Sequence, residues 1–363
     1  MVWQQTANHA VHRMDSNPRM SWLSRARAAH NLRREYSAKI LLVKSSLRRR
    51  CGLLLAAAGF VTLMAALLAP YLCAEYVFDL HGRVPAMLPK SVAPLSGRWV
   101  DDYFVVQSLD PTTYAIGEPR YYQGNYSYLI LGTQRAVLFD AGTGFRDIVP
   151  VVRSLTDLPV TVISSHLHFD HVGALGRFDK TAALDDPRLR SRVRDAQLTL
   201  ERYEFLGFAD RLSAKTFRVD EWWAADSTMD LGRRSLRVLA TPGHTPTSVS
   251  LYDASRRQLF AGDFIYPGEL YAFLPGASRS AYLASTKRLL SIIDPATQIF
   301  AAHMEDPAVA VRAPELGAAD LRALETALAA IEQGRLRHTG FYPRVFPVRG
   351  SLTFATGWAW NNR

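Results

Sequence analysis

The sequence predicts an α/β fold that follows a single membrane-spanning helix. Short strands rich in apolar and β-branched residues alternate with helices from about residue 100 onward, and the alternation recurs after about residue 235. Histidine and aspartate residues follow several of these strands, which indicates that loops at strand ends meet at one edge of the fold. An uncharged segment near the N-terminus supplies the membrane helix.

Residues 51–74 are the predicted membrane anchor. These 24 residues carry no charge and are long enough to cross a bilayer core of about 30 Å at about 1.5 Å per residue. Residues 1–50 hold 11 Lys and Arg but only two Asp and Glu, so the positive-inside rule predicts a basic cytoplasmic arm and an exported domain, periplasmic or otherwise extracytoplasmic. We expect a single-pass membrane protein, with secretion after cleavage of the segment as a signal peptide as the alternative.

The basic arm also explains the net charge of +10. Outside residues 1–50 the chain has 32 basic and 31 acidic residues, so nucleic acid is not an expected partner. Both cysteines, Cys51 and Cys73, lie within the apolar segment, and the domain after it therefore cannot form a disulfide. The sequence does not indicate the oligomeric state.

Residues 75–100 are expected to form a linker, because Pro85, Pro89 and Pro94 interrupt any helix. Residues 101–363 are expected to form one domain. The expected strands are 103–108, 127–131, 136–139, 160–163, 248–252 and 258–262. The expected helices are 147–155, 281–293 and 316–331, and the charged stretch 187–204 is compatible with a further helix.

A dense group of metal-ligand side chains follows the apolar strand at 160–163. His166, His168, Asp170 and His171 lie within six residues, and neutral imidazole and carboxylate are the usual ligands of zinc when no thiolate is used. His244, Asp263 and His303 follow later. The set is large enough to coordinate two divalent metal ions.

These residues resemble the metallo-β-lactamase superfamily, whose His-x-His-x-Asp-His motif is matched at 166–171. The resemblance covers roughly residues 100–310 and implies a four-layer αββα sandwich. It also implies roles for individual residues: one metal on His166, His168 and His244, a second on Asp170, His171 and His303, Asp263 as the bridge between them, and Asp140 as a residue that orients a ligand.

Such a centre would generate hydroxide near neutral pH and polarise the bond under attack, so it favours hydrolysis. Zinc is the metal expected first, with iron or manganese as alternatives. Asp170 is the predicted catalytic residue, because its carboxylate can orient the attacking water or accept its proton. Tyr266 and Tyr271, in the predicted loop after Asp263, are candidates for donation to an oxyanion or for substrate contact, with packing as the alternative.

The expected substrate is a small molecule or acyl compound with an ester, thioester or lactone bond. Asp263 at the bridging position is similar to glyoxalase II, lactonase and acyl-thioesterase members, whereas true β-lactamases more often have Cys or Ser there. The alternatives are an exported metallo-β-lactamase and, in another class, a non-catalytic metal-binding domain anchored in the membrane. A nuclease and a diiron redox protein rank lower.

The segment 184–223 is expected to cover the metal cleft and to determine substrate specificity. Its second part is aromatic and could offer an apolar wall to an acyl group; an ordinary helical cover is the alternative. The aromatic residues concerned are Phe205, Phe208, Phe217, Trp222 and Trp223.

Overall fold

The computed structural model describes residues 22–79, 87–88, 94–210, 212–213, 215–305 and 311–358. The chain divides into two compact units, Met1–Leu67 and Leu68–Arg363. Helix α1 spans Trp22–Asp79, and its stretch Arg50–Ala74 is long and apolar enough to cross a membrane, a test that a signal sequence also passes. The helix extends five residues into the predicted linker. The first 21 residues of the basic arm and most of the rest of the linker lie outside the described residues.

The remaining helices are short or amphipathic. They are α2 Val149–Leu155, α3 Phe169–Val172, α4 Pro187–Arg190, α5 Arg202–Phe205, α6 Arg279–Ile292 and α7 Ala318–Glu332. Two 3-10 helices lie at Leu175–Arg177 and Gly207–Asp210.

Among the described residues, strands outnumber helices. In chain order they are β1 Arg98–Trp99, β2 Val105–Asp110, β3 Thr113–Glu118, β4 Asn125–Leu131, β5 Ala136–Phe139, β6 Val160–Ile163, β7 Lys180–Leu184, β8 Gln197–Thr199, β9 Thr216–Arg218, β10 Glu221–Trp223, β11 Thr228–Asp230, β12 Ser235–Ala240, β13 Val249–Asp253, β14 Gln258–Gly262, β15 Glu269–Ala272, β16 Gln298–Ala301, β17 Glu315–Gly317, β18 Arg344–Arg349 and β19 Leu352–Thr356.

Two large sheets carry the site. One has the order β1-β2-β3-β4-β5-β6-β7-β10 and the other β11-β12-β13-β14-β16-β17. Strands β5, β6, β7 and β10 are mutually parallel, and so are β14 and β16. Carboxyl ends of parallel neighbours lie at the same edge of a sheet, so the loops after β5 and β6 are adjacent, as are those after β14 and β16.

The two sheets share one apolar core. Tyr128 of β4 lies 5.2 Å from the ring of Phe260 in β14, and Phe260 stacks on Phe300 of β16 at 5.7 Å. The Tyr128 hydroxyl donates to the carbonyl oxygen of Ala301 at 2.5 Å, which joins the sheets by a buried hydrogen bond. Side chains of α6 and α7 form a second core with the other face of the β12–β16 sheet. The mixed α/β fold with several sheets is as predicted.

Helix α7 illustrates how sequence spacing places an element. Its residues Leu321, Leu324, Leu328 and Ile331 are all buried, as their spacing of three and four residues predicts. The predicted apolar face of this helix is confirmed.

The stretch 187–204, whose composition is compatible with a helix, is not one continuous helix. Only α4 and α5 are helical, and the residues between them include β8, which pairs antiparallel with β9. Asp195 and Ala196 have positive φ of 49° and 61°, a conformation that a continuous helix cannot contain. The predicted loop after Asp263 is also partly wrong, because Glu269–Ala272 forms β15 and pairs with β19 in a three-stranded sheet with β18.

Candidate metal centre

The seven predicted ligands all follow the carboxyl ends of strands. The loop after β6 and the short helix α3 that follows it carry four of them, and the loops after β12, β14 and β16 carry one each. All seven side chains are buried, although such polar groups normally face water. The sequence positions predicted for the site therefore meet in one place.

Three imidazoles form the first group. The Nε2 atom of His166 is 2.8 Å from Nδ1 of His168, which is 3.1 Å from Nε2 of His244. The nitrogens of these three side chains lie close enough together to hold one ion. This is the trio that the resemblance implies for one metal.

The second group joins Asp170, His171 and His303. Oδ2 of Asp170 lies 3.3 Å from Nε2 of His171 and 3.5 Å from Nε2 of His303. His303 is preceded by Ala302, where the family more often has glycine. Ala302 is not among the residues with positive φ, so its Cβ causes no backbone strain.

Asp263 lies between the two groups. Its Oδ1 is 3.1 Å from Nε2 of His303 and 3.3 Å from Nε2 of His171. Its Oδ2 is 3.6 Å from Nε2 of His244 and 3.9 Å from Nε2 of His166. One carboxylate therefore faces both groups, as a bridging ligand must.

Gly262 brings Asp263 to this position. Its φ of +55° is left-handed, and a Cβ there would collide with the side chain of Ser165. Only glycine combines this backbone conformation with such close approach to the loop after β6.

Hydrogen bonds hold the histidine rings in orientation. Nδ1 of His244 donates to the carbonyl oxygen of Tyr271 at 2.7 Å, and Nδ1 of His303 donates to that of Gln123 at 3.0 Å. Each ring therefore turns its Nε2 atom toward the centre. Fixing the second ring nitrogen in this way is the usual support of a metal-binding histidine.

Asp140 lies beside the centre. Its Oδ2 is 3.1 Å from Nδ1 of His171, and its Oδ1 accepts from the backbone N–H of Ser165 at 2.6 Å. The same carboxylate thus orients a predicted ligand and anchors the start of the ligand loop.

The protonation of five of the seven groups also suits a metal. Burial holds the pKa of His166 and His168 well below the ordinary value, and it lowers the pKa of His244 as well. Burial alone would raise the pKa of Asp170 and Asp263, but neighbouring imidazoles hold both below their usual range. Burial alone would lower the pKa of His171 and His303, but the carboxylates of Asp170 and Asp263 raise both, so these two imidazoles must lose a proton to bind a metal. Neutral imidazoles and ionised carboxylates are the forms that bind metals.

The donor set fits a divalent cation on geometric grounds too. Nε2 of His303 lies 3.1 Å from Oδ1 of Asp263 and 3.5 Å from Oδ2 of Asp170, so a proton or a metal ion must lie between these atoms. Oδ1 of Asp263 and Nε2 of His171 are buried without a hydrogen-bond partner. Acceptors that face one another in a buried site need a cation between them.

A cleft of about 390 Å³ opens onto this centre. Tyr266 and Tyr271 both line it. The Tyr266 hydroxyl donates to the carbonyl oxygen of Glu269 at 2.6 Å, so its proton is already used in a hydrogen bond. Tyr271, which is half-buried, remains the better placed of the two to meet a substrate.

The segment 184–223 lines the site, but not with its aromatic residues. Phe205, Phe217 and Trp223 are buried in the core, and Leu206 is the member of the segment that borders the cleft. The predicted aromatic wall is wrong, because three of these side chains pack inward. Phe208 and Trp222 are half-buried against the same core.

Asn125 is a site residue that the sequence reasoning missed. Its Nδ2 donates to Oδ2 of Asp170 at 2.8 Å and to the backbone oxygen of Asp170 at 3.3 Å. A signal was present, because an amide in the apolar strand β4 must find a partner once buried. The carbonyl groups of Gln123 and Tyr271 left no such signal, since every residue has one.

A family model described as the metallo-beta-lactamase superfamily matches residues 121–303, about half of the chain and all seven clustered side chains. The chain belongs to the metallo-β-lactamase superfamily. The resemblance inferred from the motifs is thereby confirmed, and with it the fold family.

Named relatives of this superfamily member are hydrolases. The acyl-coenzyme A thioesterase MBLAC2 of Gallus gallus is 27% identical over 219 residues, which cover 53% of this chain and 77% of that protein. The hydroxyacylglutathione hydrolase of Psychromonas ingrahamii is 24% identical over 192 residues, 50% of this chain and 62% of that one. A solved metallo-β-lactamase from Pontibacter korlensis, 16% identical, covers 62% of this chain and 99% of its own at a TM-score of 0.46. This chain is a hydrolase of the superfamily with side chains suited to divalent metals.

Proposed function

We propose that the chain uses two divalent metal ions to hydrolyse the thioester, ester or lactone bond of an acyl substrate. The observation that carries this proposal is the position of Asp263, whose carboxylate lies 3.3 Å from Nε2 of His171 in one group of ligands and 3.6 Å from Nε2 of His244 in the other. One ion would bind to His166, His168 and His244, the other to Asp170, His171 and His303. Zinc suits these ligands best, and iron or manganese would also suit them. The αββα layering implied by the resemblance is part of the proposal.

Bound metal ions would supply Lewis acidity for the bond under attack and would lower the pKa of water at the site. The protein groups position the reactants. Asp170 would orient the attacking water and accept its proton, because its Oδ2 is held by the amide of Asn125 at 2.8 Å. His171 is held in turn by Asp140.

Thioesters are the preferred substrates within this class. A thiol has a pKa near about 8.5, so the leaving thiolate departs near neutral pH without a proton donor. The name of the thioesterase relative supports the same choice. The cleft offers apolar and aromatic contacts to an acyl substrate through Tyr122, Phe169, Leu206 and Leu274.

A substrate screen of the purified full chain, loaded with metal, tests the proposal. We expect hydrolysis of acyl thioesters to exceed that of lactones and of a chromogenic cephalosporin, and we expect Asp170→Asn to abolish it while the fold is retained. Turnover of the cephalosporin alone would favour a β-lactamase. No turnover of any of them with two metals bound would favour a non-catalytic metal-binding domain.

We also propose the membrane arrangement that the sequence predicts. Residues 1–50 would form the cytoplasmic arm, 51–74 the anchor, 75–100 the linker and 101–363 the exported hydrolase domain. Protease added outside intact spheroplasts should then digest the hydrolase domain and spare the arm. Protection of the hydrolase domain would refute export, and its release as a soluble protein would favour signal cleavage.

A further inference from the structure

A second pocket adjoins the metal centre. It has a volume of about 640 Å³ and shares His168 with the first cleft. Its volume lies within the range of about 300–1,000 Å³ typical of small-molecule sites. Its apolar wall comprises Tyr71, Leu167, Leu189, Tyr203, Pro246 and Pro275.

The charged groups at this pocket have partners within the protein. Arg188 binds both oxygens of Asp186, at 2.9 and 2.7 Å, and Arg192 binds both oxygens of Glu204, at 2.8 and 2.9 Å. The guanidinium of Arg202 lies 4.5 Å from the ring centre of Phe208. An anion would therefore have to displace existing partners, whereas an uncharged chain would not.

The end of the apolar helix forms part of the pocket wall. The ring of Tyr71 contacts that of Tyr203 edge-on at 4.8 Å between centroids, and Ala74 is fully buried in the core that also holds Leu189. Both Tyr71 and Ala74 belong to the same compact unit as the metal centre. The pocket thus leads from the last turns of the apolar segment to His168.

We propose that this second pocket binds the acyl chain of the substrate, with the reacting carbonyl beside His168 and the leaving group in the first cleft. The substrate class is then a long-chain acyl thioester or ester. Tyr71, Leu189 and Tyr203 would set the chain length that fits. This inference rests on the proposed function and adds the position of the acyl chain and the residues that select it.

Ser191 allows the pocket to be filled with little effect on the fold. It lines the pocket, is exposed, and its hydroxyl donates to the carbonyl oxygen of Arg188. Ser291 is a matched control, because it is also an exposed residue near a helix end whose hydroxyl donates three residues back, to Arg288. Ser291 lines neither the first cleft nor the second pocket.

The first experiment measures kcat/KM of the full chain on acyl thioesters of one thiol, from acetyl to palmitoyl. We expect palmitoyl to exceed acetyl by at least about tenfold, since burial of each methylene favours binding. Ser191→Trp should remove that advantage and leave acetyl turnover within about twofold, and Ser291→Trp should change neither. Equal turnover of all chain lengths, or an equal loss on acetyl and palmitoyl in Ser191→Trp, would overturn the assignment.

A second experiment is independent of catalysis. A palmitoyl probe with a terminal diazirine is crosslinked to the full chain and the labelled peptides are mapped. Labels within residues 187–204 support the acyl pocket, and labels confined to residues 264–271, or none, refute it. If the pocket is labelled while no thioester or ester is hydrolysed, the proposed function is wrong and the pocket assignment stands.

Discussion

The amide of Asn125 should raise the metal affinity of the centre, its kcat/KM or both by about one to two orders of magnitude. The side chain is 2% exposed, and its Nδ2 donates to Oδ2 of Asp170 at 2.8 Å. Hydrogen bonds to charged groups contribute about 1.5–3 kcal/mol, and about 1.4 kcal/mol corresponds to a factor of ten. Asn125→Ala should therefore lower metal affinity, kcat/KM or both by about 10- to 100-fold, because the carboxylate loses its fixed orientation.

Chelator competition and steady-state kinetics on the same preparation measure this effect. Tyr126→Phe is the matched control, since Tyr126 is the next residue of β4, is equally buried, and has a hydroxyl without a hydrogen-bond partner. The control should match the wild type in both assays. Metal affinity and kcat/KM of Asn125→Ala within about twofold of the wild type would refute the role assigned to Asn125.

Three further substitutions test the roles of individual buried residues in metal binding and in stability. Asp140→Asn removes the carboxylate beside His171 and should weaken metal binding by about 10- to 100-fold; unchanged affinity in a chelator titration would contradict this. Gly262→Ala should lower the melting temperature, because its left-handed φ of +55° and the contact with Ser165 leave no room for a methyl group; a melting temperature equal to that of the wild type would show that the loop adapts. Burial raises the pKa of Glu118, so the folded state holds this proton more tightly than the unfolded state, and the associated stability is present below the unfolded pKa and lost as pH rises through the folded pKa. Glu118→Gln should therefore gain stability relative to the wild type as pH rises through that window, and parallel curves of unfolding free energy against pH would disprove the assignment.

Local apolar runs predicted the strands that position the ligands. The strands at 136–139, 160–163 and 258–262 occur with those bounds, because each is a short buried run next to residues that end it. The ligand loops then follow from the topology, since parallel strands deliver their carboxyl ends to one edge. The resemblance to the superfamily implied the pairing of His244, Asp263 and His303 with the first cluster.

Non-local pairing explains what the sequence did not predict. Residues 187–204 have a helix-compatible composition, but β8 pairs with β9 across an intervening segment, and nothing local in the sequence encodes that partner. The inward packing of Phe205 and Trp223 likewise depends on the core they meet. The carbonyl oxygens that orient His244 and His303 belong to the backbone and have no signature in residue type.

The metal content of the purified chain tests the central claim most directly. Elemental analysis of the wild type and of Asp263→Ala, both reloaded with metal and desalted, gives the number of ions per chain and the element. The bridging position of Asp263 predicts close to two ions in the wild type and a clear decrease in the variant. One ion or none in both proteins after reloading would contradict a binuclear centre.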